Sequence, residues 1–248
     1  MNVESAQISL MGDRKENQDR VAVVADEASL LLAAVDGMGG HAHGGRAAEV
    51  TLEVLEEAFF EVPRPVFDPQ GFLTLALARA HDAVVELGDG LVMSDRPRAT
   101  CAVCLVQESG AYWAHVGDSR IYQIRGDAIV DRTRDHSHVE LLLHQGLISE
   151  QEIMEHPLRN FVECCLGGDP ALPNMSVTAK RELLPGDFLL ACTDGLWSGV
   201  EEGEIGRVIS DQSTSAEDVL RTLGESAVAK NTPNSDNTSA AALRWVGE

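Results

Sequence analysis

The sequence predicts an α+β protein in which antiparallel sheets are enclosed by helices. Three observations carry this: apolar runs of strand length open the chain, helix-period stretches come in pairs, and strand patterning resumes after each pair. The first strands are expected at residues 6–11, 20–25 and 30–35. The last of these runs hardly alternates, as a strand covered on both faces would, and it stops at Asp36-Gly37-Met38-Gly39-Gly40. Helical periodicity follows over 46–60, with Val50, Val54, Leu55 and Ala58 on one face, and over 71–87, with Leu73, Leu77, Ala80 and Val84 similarly placed. A proline-containing loop between Pro63 and Pro69 separates them.

Strand patterning returns at 100–107, 111–116 and 121–124, the last two flanking Gly117-Asp118-Ser119-Arg120, and a hairpin turn is expected at Arg125-Gly126-Asp127. From 136 to about 170 the texture changes to short polar helical pieces, with a capping box at Ser149-Glu150-Gln151-Glu152 and a break at Pro157; this reads as an inserted flap. Strands are expected again at 176–181 and, past the Pro185-Gly186 turn, at 187–192, which ends in Thr193-Asp194-Gly195. Helices over 201–209 and 215–230 then precede a last strand, 238–246, introduced by Asp236-Asn237. No internal repeat or linker divides the chain, so residues 1–248 are expected to form a single domain.

Composition narrows the function. The 19 Lys+Arg against 40 Asp+Glu leave a formal charge of −21, which opposes phosphate backbones and anionic lipid, so neither nucleic acid nor membrane is an expected partner. Cys101, Cys104, Cys164, Cys165 and Cys192 are odd in number, irregularly spaced and mostly set in apolar runs, as reduced core residues are. The Cys101-x-x-Cys104 spacing has no second ligand pair for zinc. The first residues lack a basic and an apolar leader region, and no apolar run reaches a spanning length of about 18 residues; a cytoplasmic monomer is expected.

Asp36, Asp194 and Asp236 all stand at predicted strand ends, with Asp19 and Asp118 also beside strands. If those ends meet, several carboxylates face one another, and like charges that close require cations. A donor set of oxygens, without nearby Cys, favours Mg²⁺ or Mn²⁺. Each Asp-Gly alone reads more readily as turn chemistry, since Asp-Gly is a common turn dipeptide.

The order of the motifs adds a resemblance. Gly12-Asp13-Arg14-Lys15-Glu16-Asn17-Gln18-Asp19, Val35-Asp36-Gly37-Met38-Gly39-Gly40-His41, Val116-Gly117-Asp118-Ser119-Arg120, Asp135-His136-Ser137, Cys192-Thr193-Asp194-Gly195-Leu196 and Asp236-Asn237-Thr238-Ser239 resemble the successive signatures of the metal-dependent protein phosphatases, the protein phosphatase 2C type. The likeness spans about 6–246, and the flap, with His156-Pro157-Leu158-Arg159-Asn160 and Leu166-Gly167-Gly168-Asp169, is similar to the bacterial branch.

The resemblance implies a four-layer α-β-β-α sandwich of two antiparallel sheets flanked by helix pairs. It implies hydrolysis of protein phosphoserine and phosphothreonine by a metal-activated water at a dinuclear centre. Asp36 would bridge two Mn²⁺ or Mg²⁺ ions, Gly37 would offer its carbonyl, Asp194 and Asp236 would complete the inner ligands, and Asp19 would bind directly or through water. Asp118 with Asp194 would hold a third ion, and Arg14 would grip the substrate phosphate. Implied partners are phosphoprotein substrates and an opposing bacterial serine/threonine kinase, with a secretion-system kinase and its forkhead-associated phosphoprotein as one candidate set. The alternative is a catalytically silent phosphoprotein-binding regulator, which should have lost one of Asp36, Asp194 and Asp236.

The chain also departs from the pattern. Met38 stands where eukaryotic relatives carry a His proposed as general acid, which leaves water, His41 or His43 as candidate proton donors. Gln18 replaces a common Glu, and His136 reads as a structural residue at the base of the flap.

Overall fold

The two-sided strand lies at the centre of the protein. The computed structural model describes residues 1–38, 43–153 and 156–247. In chain order the strands are β1 (Asn2–Leu10), β2 (Asp19–Ala25), β3 (Ser29–Met38), β4 (Arg98–Ala99), β5 (Cys101–Gln107), β6 (Gly110–Val116), β7 (Arg120–Arg125), β8 (Ala128–Arg132), β9 (Leu166–Gly167), β10 (Ser176–Val177), β11 (Arg181–Glu182), β12 (Phe188–Cys192) and β13 (Thr238–Gly247). The helices are α1 (His43–Glu61), α2 (Pro69–Leu87), α3 (His138–His144), α4 (Glu150–Ile153), α5 (Asp194–Trp197), α6 (Glu202–Ser210) and α7 (Ala216–Asn231).

One sheet runs β1-β13-β12-β7-β8. The other is built on β2, β3, β5 and β6 in adjacent antiparallel pairs, with β10 and β11 on the far edge of β6 and with β4 and β9 extending from β3. Alternation along β3 explains its unbroken apolar sequence. Leu31, Ala33 and Val35 join the core formed with α1 and α2, whereas Leu30, Leu32 and Ala34 join the core between the sheets, with Trp113, Leu189, Ala241 and Trp245. A third core seats α6 and α7 on the other sheet through Ile205, Val219 and Leu223 against Leu190 and Ala242. The layers are therefore α-β-β-α, as expected.

Several boundaries differ. β3 continues to Met38 rather than ending at Val35, because β2 pairs with it as far as Asp36 and β4 pairs with Gly37 and Met38. The single strand expected at 176–181 is two short pieces, β10 and β11, each bonded separately to β6. α5 leaves no periodic trace in the sequence, since four residues are too few to show one. The hairpin at Arg125-Gly126-Asp127 joins β7 and β8, with Gly126 at φ 63°. At the Ser149 box the Glu152 carboxylate accepts from the Ser149 backbone N–H at 2.8 Å. Cys101 and Cys104 face opposite sides of β5, in separate cores, so they cannot share an ion. Among the described residues no helix is long and apolar enough to cross a membrane.

Candidate metal centre

Five Asp side chains reach one end of the gap between the sheets from separate segments. The β2–β3 register sets Asp19 directly opposite Asp36, which places both side chains on the same sheet face. Asp36 has the parity of Leu30, Leu32 and Ala34, so it continues the inner face where the apolar core stops. In the facing sheet, Asp194 follows β12 and Asp236 precedes β13, and these two strands are neighbours. Asp118 lies where the chain crosses from β6 in one sheet to β7 in the other.

Glycines let these segments meet. A Cβ on Gly37 would stand 2.0 Å from the Gly44 carbonyl oxygen at the start of α1. Gly117 adopts φ 98° beside Thr100, a conformation that costs an L side chain dearly. Gly37→Ala is expected to destabilise the fold by about 1–3 kcal/mol, the range for overpacking against backbone, read as a lower urea midpoint.

Hydrogen bonds then fix the segments that carry these aspartates. Thr193 donates its hydroxyl to Asp19 at 2.8 Å across the gap, and Thr100 N–H donates to the Asp36 carbonyl at 2.8 Å. Trp197 donates its indole N–H to the Asp118 carbonyl at 2.9 Å. The Arg120 guanidinium lies 3.6 Å over that indole and is itself gripped by Asp135 at 2.8 and 2.7 Å. Asn237 ties down the segment that carries Arg14: its side-chain amide donates to the Met11 and Glu16 carbonyls at 2.9 and 3.0 Å, and its Oδ1 accepts from Gln18 N–H at 2.8 Å. Arg14 meets Asp236 in a two-pronged pair, Nε at 2.7 Å and Nη2 at 2.6 Å.

A cavity of about 670 Å³ opens here, lined by Asp36, Gly37, Asp118, Asp194 and Asp236 together with Arg14 and Lys15. Its electrostatics reflect desolvation and crowding. Burial drives the Asp19 carboxyl up to about 6 against the pull of its hydrogen bond from Thr193. Burial, then the charge of Asp135, drives Asp118 up to about 7. Asp36 and Asp194 are raised well above the usual carboxylate range, first by burial and then by the other aspartates of the group. The Arg14 guanidinium is held more firmly charged, chiefly by Asp236.

Among the described residues no three side chains are drawn tightly enough to form a ready-made ion cage. Arg14 holds Asp236 and Thr193 holds Asp19. The donor set nevertheless fits hard divalent cations, since every candidate ligand is oxygen and the carboxylates are buried beside one another without enough positive charge.

Each expected site residue thus lies at the cavity except Asp19, which is buried behind it in contact with Thr193. Asn160 and Val162 also line the cavity, from the segment expected as a flap, and had no assigned role. Val162 is brought there by a bridge to Ser137. Met38 lines the cavity too. His41 lies outside the described residues, and His43 is exposed at the start of α1. His136 stacks on His115 with centroids 4.5 Å apart, bonds Ser176 at 2.9 Å and is pushed down to about 4 by burial and by His115, so it is neutral and structural.

Comparison with known proteins agrees with this arrangement. Protein phosphatase PhpP of Streptococcus pneumoniae is 30% identical over 211 residues, 82% of this chain and 84% of that one. The catalytic domain of the serine/threonine protein phosphatase PstP, solved with two manganese ions, superposes with a TM-score of 0.79 at 26% identity, covering 98% of this chain and 97% of that one. PppA of Pseudomonas aeruginosa, described as a key regulatory component of the T6SS, superposes with a TM-score of 0.80 at 28% identity over 98% of each chain. Because the family model for protein phosphatase 2C matches residues 9–232, a span that includes Asp19, Asp36, Asp118 and Asp194, the chain belongs to the protein phosphatase 2C family.

Proposed function

We propose that this chain is a metal-dependent protein phosphatase that hydrolyses phosphoserine and phosphothreonine in proteins. The observation that carries the reading is the convergence of buried carboxylates from separate segments on a cavity that also presents Arg14. Asp36, Asp194 and Asp236, with the Gly37 carbonyl and with Asp19 behind them, would hold two Mn²⁺ or Mg²⁺ ions; Asp118 with Asp194 would serve a third. When bound, such cations lower the pKa of water and neutralise phosphate charge. Retention of every candidate ligand speaks against a silent binding protein.

The protein's own groups supply the rest. Burial of the aspartates makes an added positive charge more favourable there than at the surface. Thr193 and the Asp135–Arg120–Trp197 stack keep Asp19 and the Asp118 segment in place. Arg14 offers a planar fork whose two donors suit two phosphate oxygens as well as they suit Asp236. Met38 is a thioether and cannot donate a proton, so the leaving alkoxide takes its proton from water or from a group elsewhere.

The direct test uses the purified chain with a phosphothreonine peptide. Turnover with Mn²⁺, its loss on adding EDTA and its return with Mn²⁺ are expected; turnover that survives chelation overturns the reading. Arg14→Ala is expected to raise KM for the peptide about 10–100-fold, the cost of a lost charged hydrogen bond, with a smaller change in kcat. An unchanged KM removes Arg14 from the phosphate site.

The chain acts in the cytoplasm as one domain over 1–248, with 136–170 as its flap, against a bacterial serine/threonine kinase. The likeness to PppA, a regulatory component of the T6SS, supports a link to secretion, in which the opposing enzyme would be a secretion-system kinase and the substrate its forkhead-associated phosphoprotein. Phosphoproteomics of a deletion strain checks this: phosphosites that accumulate on unrelated proteins only would point to another pathway.

A further inference from the structure

The corner of the molecule where α1 turns into α2 carries features that phosphate hydrolysis does not use. α1 starts against Gly37 at the metal centre and runs for 19 residues, about 28 Å at 1.5 Å per residue, so its far end is remote from the cavity. There, Val62, Phe67, Asp68, Phe72, Leu75 and Arg79 line a groove of about 500 Å³. Phe72, Leu75 and Arg79 recur at helical spacing, so α2 presents one face to it.

This corner concentrates exposed apolar surface. Phe67 is 102% exposed, Leu75 67% and Phe60 62%, three of the five most exposed large apolar side chains among the described residues. Such clustering marks an interaction surface, whereas scattered exposed residues need no explanation. The segment that displays Phe67 is also firmly held. The buried Gln107 side chain accepts from Val66 N–H at 2.8 Å and donates to the Val66 carbonyl at 2.9 Å. Arg64 donates to the Phe59 carbonyl at 2.6 Å, lies 3.9 Å over the Phe59 ring and pairs with Asp26. A ring displayed on a fixed frame pays little ordering cost on binding.

Charge selects the occupant. Asp68 lines the groove, and Arg79, its only lining cation among the described residues, is already paired with Glu61 at 2.6 Å and also feels Glu57. The rim is thus net negative on a chain of charge −21, so a second copy is repelled. We infer that this groove docks a short apolar segment flanked by Lys or Arg on a partner or substrate protein, apart from the cavity that takes the phosphate. Docking of this kind raises the effective concentration of a phosphosite on the same protein.

The test is fluorescence anisotropy of a labelled amphipathic peptide of leucine and lysine with the full chain, beside the same peptide with glutamate in place of lysine. The lysine peptide should bind one to one and the glutamate peptide should not. Phe67→Ser and Leu75→Ser should each weaken binding at least about tenfold, and Glu57→Lys should weaken it several-fold. Turnover of a small aryl phosphate should stay at the wild-type value in all three, which separates this result from any failure of the phosphatase reading. Phe67 makes no buried contact, so its variant keeps the fold. Equal binding by wild type and by the two Ser variants would assign the affinity to general surface charge and overturn the proposal. Absence of binding, or concentration-dependent self-association that Phe67→Ser abolishes, overturns it as well.

Discussion

Asp36→Asn should lower turnover of a phosphothreonine peptide by more than about 100-fold, beyond the usual cost of losing even an outer partner of a metal ligand. The same change should stabilise the protein in EDTA. Asp36 faces Asp194, Asp19, Asp118 and Asp236, and burial together with those charges raises its pKa well above the carboxylate norm. A neutral amide of the same shape relieves that repulsion while keeping the packing. Activity and stability in chelator are therefore expected to move in opposite directions, a signature that misfolding cannot produce. Steady-state kinetics and urea unfolding in EDTA check it. Normal turnover removes Asp36 from the site, and a matching loss of stability assigns it a purely structural part.

The second large effect is the dependence of metal stabilisation on pH. Asp19 and Asp118 titrate at about 6 and about 7 in the folded chain against 3.8 ordinarily. A raised folded-state pKa means that the favourable contribution is complete below the unfolded value and is lost as pH rises through the folded one. The chelated protein should thus lose stability between about pH 4 and pH 7 on account of these groups. Cations bind the ionised form, so Mn²⁺ reverses the trend and stabilises most at alkaline pH. At a hundredfold excess over Kd, one site contributes about 2.7 kcal/mol, and a domain of this size shifts about 2–4 °C per kcal/mol. The gain in Tm on adding Mn²⁺ should therefore be about 5–10 °C per site near pH 8 and much smaller near pH 5. Scanning calorimetry with EDTA or MnCl₂ at the two pH values decides it. An equal gain at both means that the ions bind elsewhere.

Much of this architecture is legible in the sequence because burial leaves periodic traces. The run 30–35 lacks alternation, and β3 does divide its side chains between two cores. The helix pairs show their period clearly, and only their ends shift. Where pairing partners decide the outcome, local pattern is blind: β3 extends to Met38 through contacts with β2 and β4, and 176–181 splits because β6 bonds its two ends separately.

The candidate site divides in the same way. Its aspartates stand out because Asp36, Asp194 and Asp236 fall at the ends of strand-like runs and Asp19 and Asp118 fall beside others. The Arg14–Asp236 pair, Asn237 and the indole of Trp197 do not, since their partners are distant in sequence and their residue types have ordinary alternatives. Nothing in the sequence around Trp197 signals that its N–H meets the Asp118 carbonyl. Asn160 and Val162 reach the cavity only because the segment from 136 folds back over Ser137.

The grip of Asn237 on Met11, Glu16 and Gln18, together with the pairing of β1 along β13, has a consequence for biosynthesis. Arg14 leaves the ribosome long before Asp236, which lies 222 residues further along the chain, and before Asn237 beside it. Contacts between such distant parts of a chain form late and slowly. A nascent chain that still lacks β13 has no seat for Arg14 and no Asp236, and so it cannot act on phosphoproteins while translation is under way. Activity begins only when β13 has docked and Asp236 and Asn237 have met the segment that carries Arg14.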